Sequence, residues 1–243
     1  MTEENNLVMS YHRMRRWVGY LGLGLPFALV IGDWLFHNLK IYQNPNLMQM
    51  CQGNYTSTNH SRDSISEYFY TPMGELFVGT LCAVAFFLFL YKGYKKRHGE
   101  LMPGDSFMTN FAGICALLVA IFPMDIEHCT TDNFRTFISH KPVGYIHYGA
   151  AVLFFVSLGI MCLVNFRRTD TVANFGTKAS HNFYKGCGIG IFASLILILL
   201  FKLVPFLNNW ATTHDFEYLF WFETTSLLFF GSSWLKKGQV SSN

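Results

Sequence analysis

Six apolar stretches alternate with polar segments along the 243-residue chain. A bilayer core about 30 Å thick requires about 20 apolar residues in a helix. The stretches are Trp17–Phe36, Met73–Tyr91, Phe107–Pro123, Gly144–Phe166, Gly186–Pro205 and Tyr218–Leu235. Most are apolar on every face rather than along one stripe, which is typical of helices immersed in lipid. The pattern predicts an all-α polytopic membrane protein, a bundle of six transmembrane helices forming a single domain over residues 1–243.

The composition agrees with this class. Hydrophobic residues make up 51% of the chain and charged residues only 14%, against about 25% charged in soluble domains. A net charge of +3 is too small to indicate nucleic-acid binding. No glycine-rich phosphate loop or dinucleotide fingerprint occurs. We therefore expect membrane lipid as a partner, and neither nucleic acid nor nucleotide.

The basic residues predict the orientation. Under strict alternation of the six stretches, 13 of the 18 Lys and Arg lie on one side. Lys and Arg near the ends of spans remain cytoplasmic, so both termini are expected in the cytoplasm. The first stretch ends in Asp33–His37 without a small-residue cleavage site, so we interpret it as an uncleaved helix rather than a signal peptide. We therefore expect a multi-pass protein of the plasma membrane.

The first predicted outer loop, residues 37–72, is long and polar, which is typical of lids and binding segments. Near its end, Ser64 and Glu67 have the spacing of a capping box. Cys51 in this loop and Cys129 in the second outer loop lie where disulfides form, so a bridge between them is one hypothesis.

A glycine pair in the fifth apolar stretch bears on contacts between helices. Gly186 and Gly190 form a GxxxG pair that allows another helix to approach closely. Packing within the bundle is the preferred interpretation, and a homo-oligomer seam is the alternative.

Ionisable residues concentrate in the predicted outer half, which holds ten of the fifteen Asp and Glu. Such groups at membrane depth usually face the bundle interior and mark a site. Glu223 lies inside the last stretch and needs a partner, either His147 or a ligand, because an isolated buried carboxylate is costly. The expected lining of an outward-facing pocket is Asp33, His37, Ser66, Asp125, His147 and Glu223.

Imidazoles and carboxylates at one level can bind Zn²⁺. His37, His147 and Asp125 are the candidate metal ligands. The same groups can also form a hydrogen-bonded cap without any ion, and both alternatives remain open.

Several motifs carry a resemblance. Residues 15–23, 64–82, 112–123 and 231–238 resemble an uncharacterised family of bacterial six-span membrane proteins, which implies the bacterial inner membrane. Ser64–Ser66, His147 and Glu223 are more distantly similar to polar positions of the Frag1/DRAM/Sfk1 group, which implies lipid handling. A fainter likeness is to the CREST membrane hydrolases, which imply a zinc site, although this chain lacks their paired HxxxH on a seventh span.

Three functions follow as hypotheses. The preferred one is binding or handling of a lipid or other amphiphile at the outer leaflet. The first alternative is a metal-dependent hydrolase of lipid esters or amides, in which the metal activates a bound water. The second is a small transporter, which requires ion sites near mid-membrane, where the stretches carry little charge.

Overall fold

The regular structure is entirely helical within the described residues. The computed structural model describes residues 3–39, 62–93, 96, 103–124, 142–167 and 178–239. The α-helices are α1 (Glu3–Leu39), α2 (Gly74–Leu90), α3 (Asp105–Ile121), α4 (Pro142–Leu163), α5 (Lys178–Leu203), α6 (Pro205–Thr213) and α7 (Tyr218–Lys237). Two 3₁₀ helices cover Ile65–Tyr70 and Asn165–Arg167. The all-α prediction is confirmed over these residues.

The long helices pack in chain order and then close on themselves. Each of α1 to α4 contacts the next, and α7 returns to pack against both α5 and α1. Buried side chains such as Phe77, Leu158, Ile191 and Trp234 fill the interior. α1 and α7 run antiparallel, because Arg15 bonds to Lys237 while Gly22 lies against Phe230. The start of α1 and the end of α7 therefore lie at the same end of the structure.

Three helical stretches are long and apolar enough to cross a membrane, namely Tyr11–Phe36, Val143–Arg167 and Ser180–Leu203. Two further apolar helices, Gly74–Leu90 and Asp105–Ile121, are shorter. The outer faces of the stretches that could cross carry large exposed apolar side chains, among them Ile31 and Ile196. These are the features of a membrane protein.

Some element boundaries differ from the prediction. α1 begins at Glu3 rather than near Trp17, since hydropathy marks only the apolar part of a helix that continues into polar sequence. α6 occupies residues expected to form a loop. Its signals are Pro205 in the first turn and the four-residue spacing of Phe206 and Trp210.

Glycines allow α7 to approach its neighbours closely. A Cβ atom at Gly231 would lie 2.7 Å from the carbonyl oxygen of Gly19, so the backbones of α1 and α7 touch there. In the predicted GxxxG pair, a Cβ atom at Gly190 would collide with the Phe229 ring of α7, which is packing within the chain. Gly186 has no such neighbour within 4 Å, and the homo-oligomer alternative stays a prediction.

Candidate functional site

Residues 62–71, named here the clasp segment, lie between α1, α2 and α7. The 3₁₀ helix Ile65–Tyr70 forms most of the segment, and Ser64 caps it by accepting a hydrogen bond from the Ser66 N–H at 3.1 Å. Its own side chains Ile65, Tyr68 and Phe69 are buried. The segment is thus an ordered part of the structure that packs between the helices at one of their ends. This end is named the clasp end.

Glu223 binds the clasp segment from α7. Its Oε2 atom accepts hydrogen bonds from Ser64 Oγ at 2.9 Å and from the Ile65 N–H at 2.8 Å. One turn earlier, the Phe220 N–H donates to the Asp63 carbonyl at 2.9 Å. The expected partner of Glu223 was His147 or a ligand, but the protein supplies Ser64 and Ile65.

Asp33 binds the same segment from α1. Arg62 Nη2 lies 3.3 Å from Asp33 Oδ2, and the Asp33 side chain is buried. Two carboxylates from different helices are therefore brought to one short segment. Asp33 contacts the segment at Arg62, and Glu223 contacts it at Ser64. The segment, and not a direct contact, connects the two carboxylates.

Glu67 is a half-buried carboxyl on the clasp segment. Its Oε2 atom accepts a hydrogen bond from the Asp63 N–H at 3.2 Å, one residue earlier than the capping box predicts. Burial, reinforced by the neighbouring negative charge of Asp63, raises the pKa of Glu67 from 4.5 to about 7. This group can therefore change protonation near neutral pH.

His147 connects α4 to the end of α3 at the clasp end. Its Nδ1 atom lies 2.6 Å from the carbonyl oxygen of Phe122, at the end of α3. A carbonyl only accepts, so Nδ1 carries a proton and donates it to Phe122. Tyr70 of the clasp segment donates to the Met124 carbonyl at 2.7 Å, two residues further along. The end of α3 thus contacts both α4 and the clasp segment.

A family model described as "Protein of unknown function (DUF998)" matches residues 54–218, more than half of the chain. The chain belongs to the DUF998 family. No curated protein and no solved structure matches it. In this DUF998 protein the matched range contains the clasp segment and His147, whereas Asp33 and Glu223 lie outside the range.

Several predicted site residues of the DUF998 chain lie outside the described residues. These are the side chain of His37, together with Asp125, Cys51 and Cys129. Ser66 is buried and uses its backbone N–H to bind Ser64. Within the described ranges, no group of three or more His, Cys, Asp or Glu side chains could hold a metal ion. Two of the three predicted zinc ligands, the His37 side chain and Asp125, lie outside the described residues, so the zinc site stays a prediction.

Sequence reasoning missed a polar cluster at the opposite end of the DUF998 structure. Arg15 and Lys237 lie there among aromatic rings, beside the fully buried Asp105 and Asn165. This end is named the basic end. The available signal was the basic residues at the span ends, which we interpreted only as markers of orientation.

Proposed function

We propose that this DUF998 protein crosses the bacterial inner membrane six times, with both termini in the cytoplasm. The return of α7 to the start of α1 supports an even number of crossings. We expect a reporter that fluoresces only in the cytoplasm to be bright when fused after residue 93 or 239, and dark when fused after residue 61. The opposite pattern would reverse the orientation.

We propose further that the clasp end binds a lipid or other amphiphile at the outer leaflet. The observation that carries this proposal is that two carboxylates from different helices, Asp33 and Glu223, both bind the clasp segment. Two exposed tryptophans, Trp34 and Trp221, lie beside these carboxylates. Exposed Trp side chains favour the level of the lipid headgroups. Polar groups and apolar helix faces therefore meet where an amphiphile has its own polar–apolar boundary.

The clasp segment supplies polar groups for a headgroup. Ser64 Oγ, the Ile65 N–H and the Glu223 carboxylate now satisfy one another, and a bound headgroup would exchange with some of these hydrogen bonds. Exposed side chains such as Phe27, Ile31 and Trp221 provide apolar surface for acyl chains. The distant resemblance to the Frag1/DRAM/Sfk1 group agrees with lipid handling.

Native mass spectrometry of detergent-purified protein tests the proposal. We expect the wild-type chain to retain lipid, and Ser64→Ala to lower the retained fraction several-fold, because the hydroxyl that orients Glu223 is lost. Ser66→Ala then tests the second predicted lining serine separately, because the Ser64 cap uses only the backbone N–H of Ser66. Equal retention by wild type and Ser64→Ala would argue against a site at the clasp.

A metal-dependent hydrolase is the second candidate, and His147 is the observation that favours it. Metal-binding histidines typically donate the N–H of one ring nitrogen to a carbonyl, as His147 Nδ1 does to Phe122. Elemental analysis of purified protein would decide. One equivalent of Zn²⁺ that is lost in His147→Ala supports the hydrolase, and folded wild-type protein without Zn²⁺ excludes it.

A further inference from the structure

The short helix α6 turns out of the direction of α5. Pro205 is its first residue, and the preceding Val204 has an extended backbone (φ −91°, ψ 108°) that interrupts the helix. The rings of Phe201 on α5 and Trp210 on α6 have centres 6.5 Å apart. Nine residues of one continuous helix would separate their backbones by about 13.5 Å. α6 therefore runs sideways from the end of α5 rather than along its axis.

The end of α6 is as well defined as its start. The His214 N–H donates to the Trp210 carbonyl at 3.1 Å, and the Phe216 N–H donates to the Ala211 carbonyl at 2.9 Å. Asp215 lies between these two donors in the left-handed backbone region (φ 49°), which Asp adopts more readily than most residues. The chain then enters α7, whose Phe220 N–H bonds to the clasp segment. α6 is thus a fixed element at the clasp end.

α6 presents three different faces. Ala211 is buried against the protein. Phe206 and Trp210, four positions apart, form an exposed apolar face, and 74% of the Phe206 surface is accessible. Asn209 and Thr212 are exposed on a third, polar face. A helix with one apolar and one polar face exposed is suited to a boundary between an apolar medium and water.

The apolar face of α6 begins where an exposed apolar face of α5 ends. Ile196, Leu199 and Leu203 are exposed along one side of the last turns of α5. α5 contains Ser180–Leu203, one of the stretches that are long and apolar enough to cross a membrane. Phe206 follows Leu203 by three positions. Lipid that covers this side of α5 can therefore continue onto α6.

We propose that α6 lies in the surface of the outer leaflet, with Phe206 and Trp210 inserted among the lipids and with Asn209 and Thr212 facing water. Tryptophan favours the headgroup level, where its ring is apolar and its N–H finds a partner. Helices that lie in a membrane surface bind through apolar area and through charge. α6 contains no Asp, Glu, Lys or Arg, so apolar area carries its binding to lipids of either headgroup charge.

A second copy of the chain is the other occupant to consider for this face. The two aromatic side chains of α6 together present less than about 500 Å². Each partner in a stable protein complex buries about 800 Å². Lipid, which needs no matching partner surface, fits the face better. The proposal rests on α5 crossing the membrane and does not depend on lipid binding at the clasp segment.

Tryptophan fluorescence in proteoliposomes tests the position of α6. Phosphatidylcholine that carries bromine near the headgroup end of its acyl chains quenches tryptophans in contact with lipid, and iodide quenches those in contact with water. The difference between wild type and Trp210→Phe gives the contribution of Trp210. We expect brominated lipid to lower this contribution at least twofold, and iodide to change it far less.

A matched variant moves the probe to the polar face. Trp210→Phe combined with Thr212→Trp should give the reverse result, with quenching of the new tryptophan by iodide and not by brominated lipid. Trp17, Trp34 and Trp221 are exposed on α1 and α7 and remain in both variants. Their quenching by brominated lipid reports membrane insertion of the long helices separately from the position of α6.

Several outcomes would overturn the proposal. One is quenching of Trp210 by iodide alone while the other exposed tryptophans are quenched by lipid. Quenching that appears only with brominated phosphatidylglycerol would assign the binding to charge rather than to apolar area. Protection of Trp210 from both quenchers, lost when the protein is diluted with lipid, would assign the face to a second copy. An absence of lipid quenching at every tryptophan would refute the membrane crossing itself.

Discussion

Ser64 Oγ donates a hydrogen bond to Glu223 at 2.9 Å and accepts one from the Ser66 N–H at 3.1 Å. A single hydroxyl therefore caps the 3₁₀ helix and attaches it to α7, 159 positions later in the chain. Local structure and tertiary contact depend on the same oxygen at this point.

Ser64→Ala should lower the free energy of unfolding by about 1–3 kcal/mol, since it removes a helix cap and the hydrogen bond to the buried Glu223. Chemical unfolding in detergent measures the difference. Ser66→Ala should cost clearly less, because the cap uses only the backbone of that residue. A larger loss for Ser66→Ala would contradict the assigned geometry.

Substitutions at Glu223 should separate hydrogen bonding from charge. Glu223→Gln retains an oxygen that can accept from Ser64 and Ile65, so we expect a loss below about 1 kcal/mol. Glu223→Leu leaves both donors without an acceptor and should cost about 2–4 kcal/mol. Equal unfolding free energies for the two variants would show that these hydrogen bonds do not stabilise the clasp.

The clasp should weaken as pH rises towards neutrality. The pKa of Glu67 is about 7 in the folded protein against an ordinary value of 4.5. Between these values the folded state holds a proton that the unfolded state releases, so rising pH favours unfolding. Hydrogen exchange of residues 62–71 at pH 5 and pH 7.5 measures the effect.

Glu67→Gln should reduce this pH dependence, because the amide does not titrate. The exposed Glu75 supplies the matched control, and Glu75→Gln should leave the dependence largely unchanged. Arg62, Asp63 and Glu223 also lie near the segment, so the difference between variant and wild type is the informative quantity. An identical pH profile for Glu67→Gln would refute the assignment to Glu67.

Gly231→Ala should destabilise the protein by about 1–3 kcal/mol. The new Cβ atom would lie 2.7 Å from the Gly19 carbonyl oxygen, and neither backbone can move without separating α1 from α7. Gly149→Ala on α4 is the control, since no atom lies within 4 Å of its added Cβ atom. The control should be neutral or stabilising by up to about 1 kcal/mol. Thermal unfolding in detergent compares the two.

The apolar stretches by themselves predicted the six long helices but not α6, because hydrophobic length is a local property of the chain. Each predicted stretch overlaps a helix of the structure, from α1 to α7. The Ser64 cap was equally visible, since a capping residue acts on N–H groups two or three positions away. The predicted disulfide between Cys51 and Cys129, the zinc ligands His37 and Asp125, and the six-span orientation stay predictions.

Only the tertiary structure decided which polar groups meet. The concentration of acids at one end is apparent from the sequence, but the choice of Ser64 and Ile65 for Glu223, and of Phe122 for His147, depends on how α3, α4, α7 and the clasp segment pack. The basic end needed the same information, because Arg15 and Lys237 are far apart in sequence. Hydropathy measures the tendency of a residue to leave water, and it carries no information about the partner that residue finds.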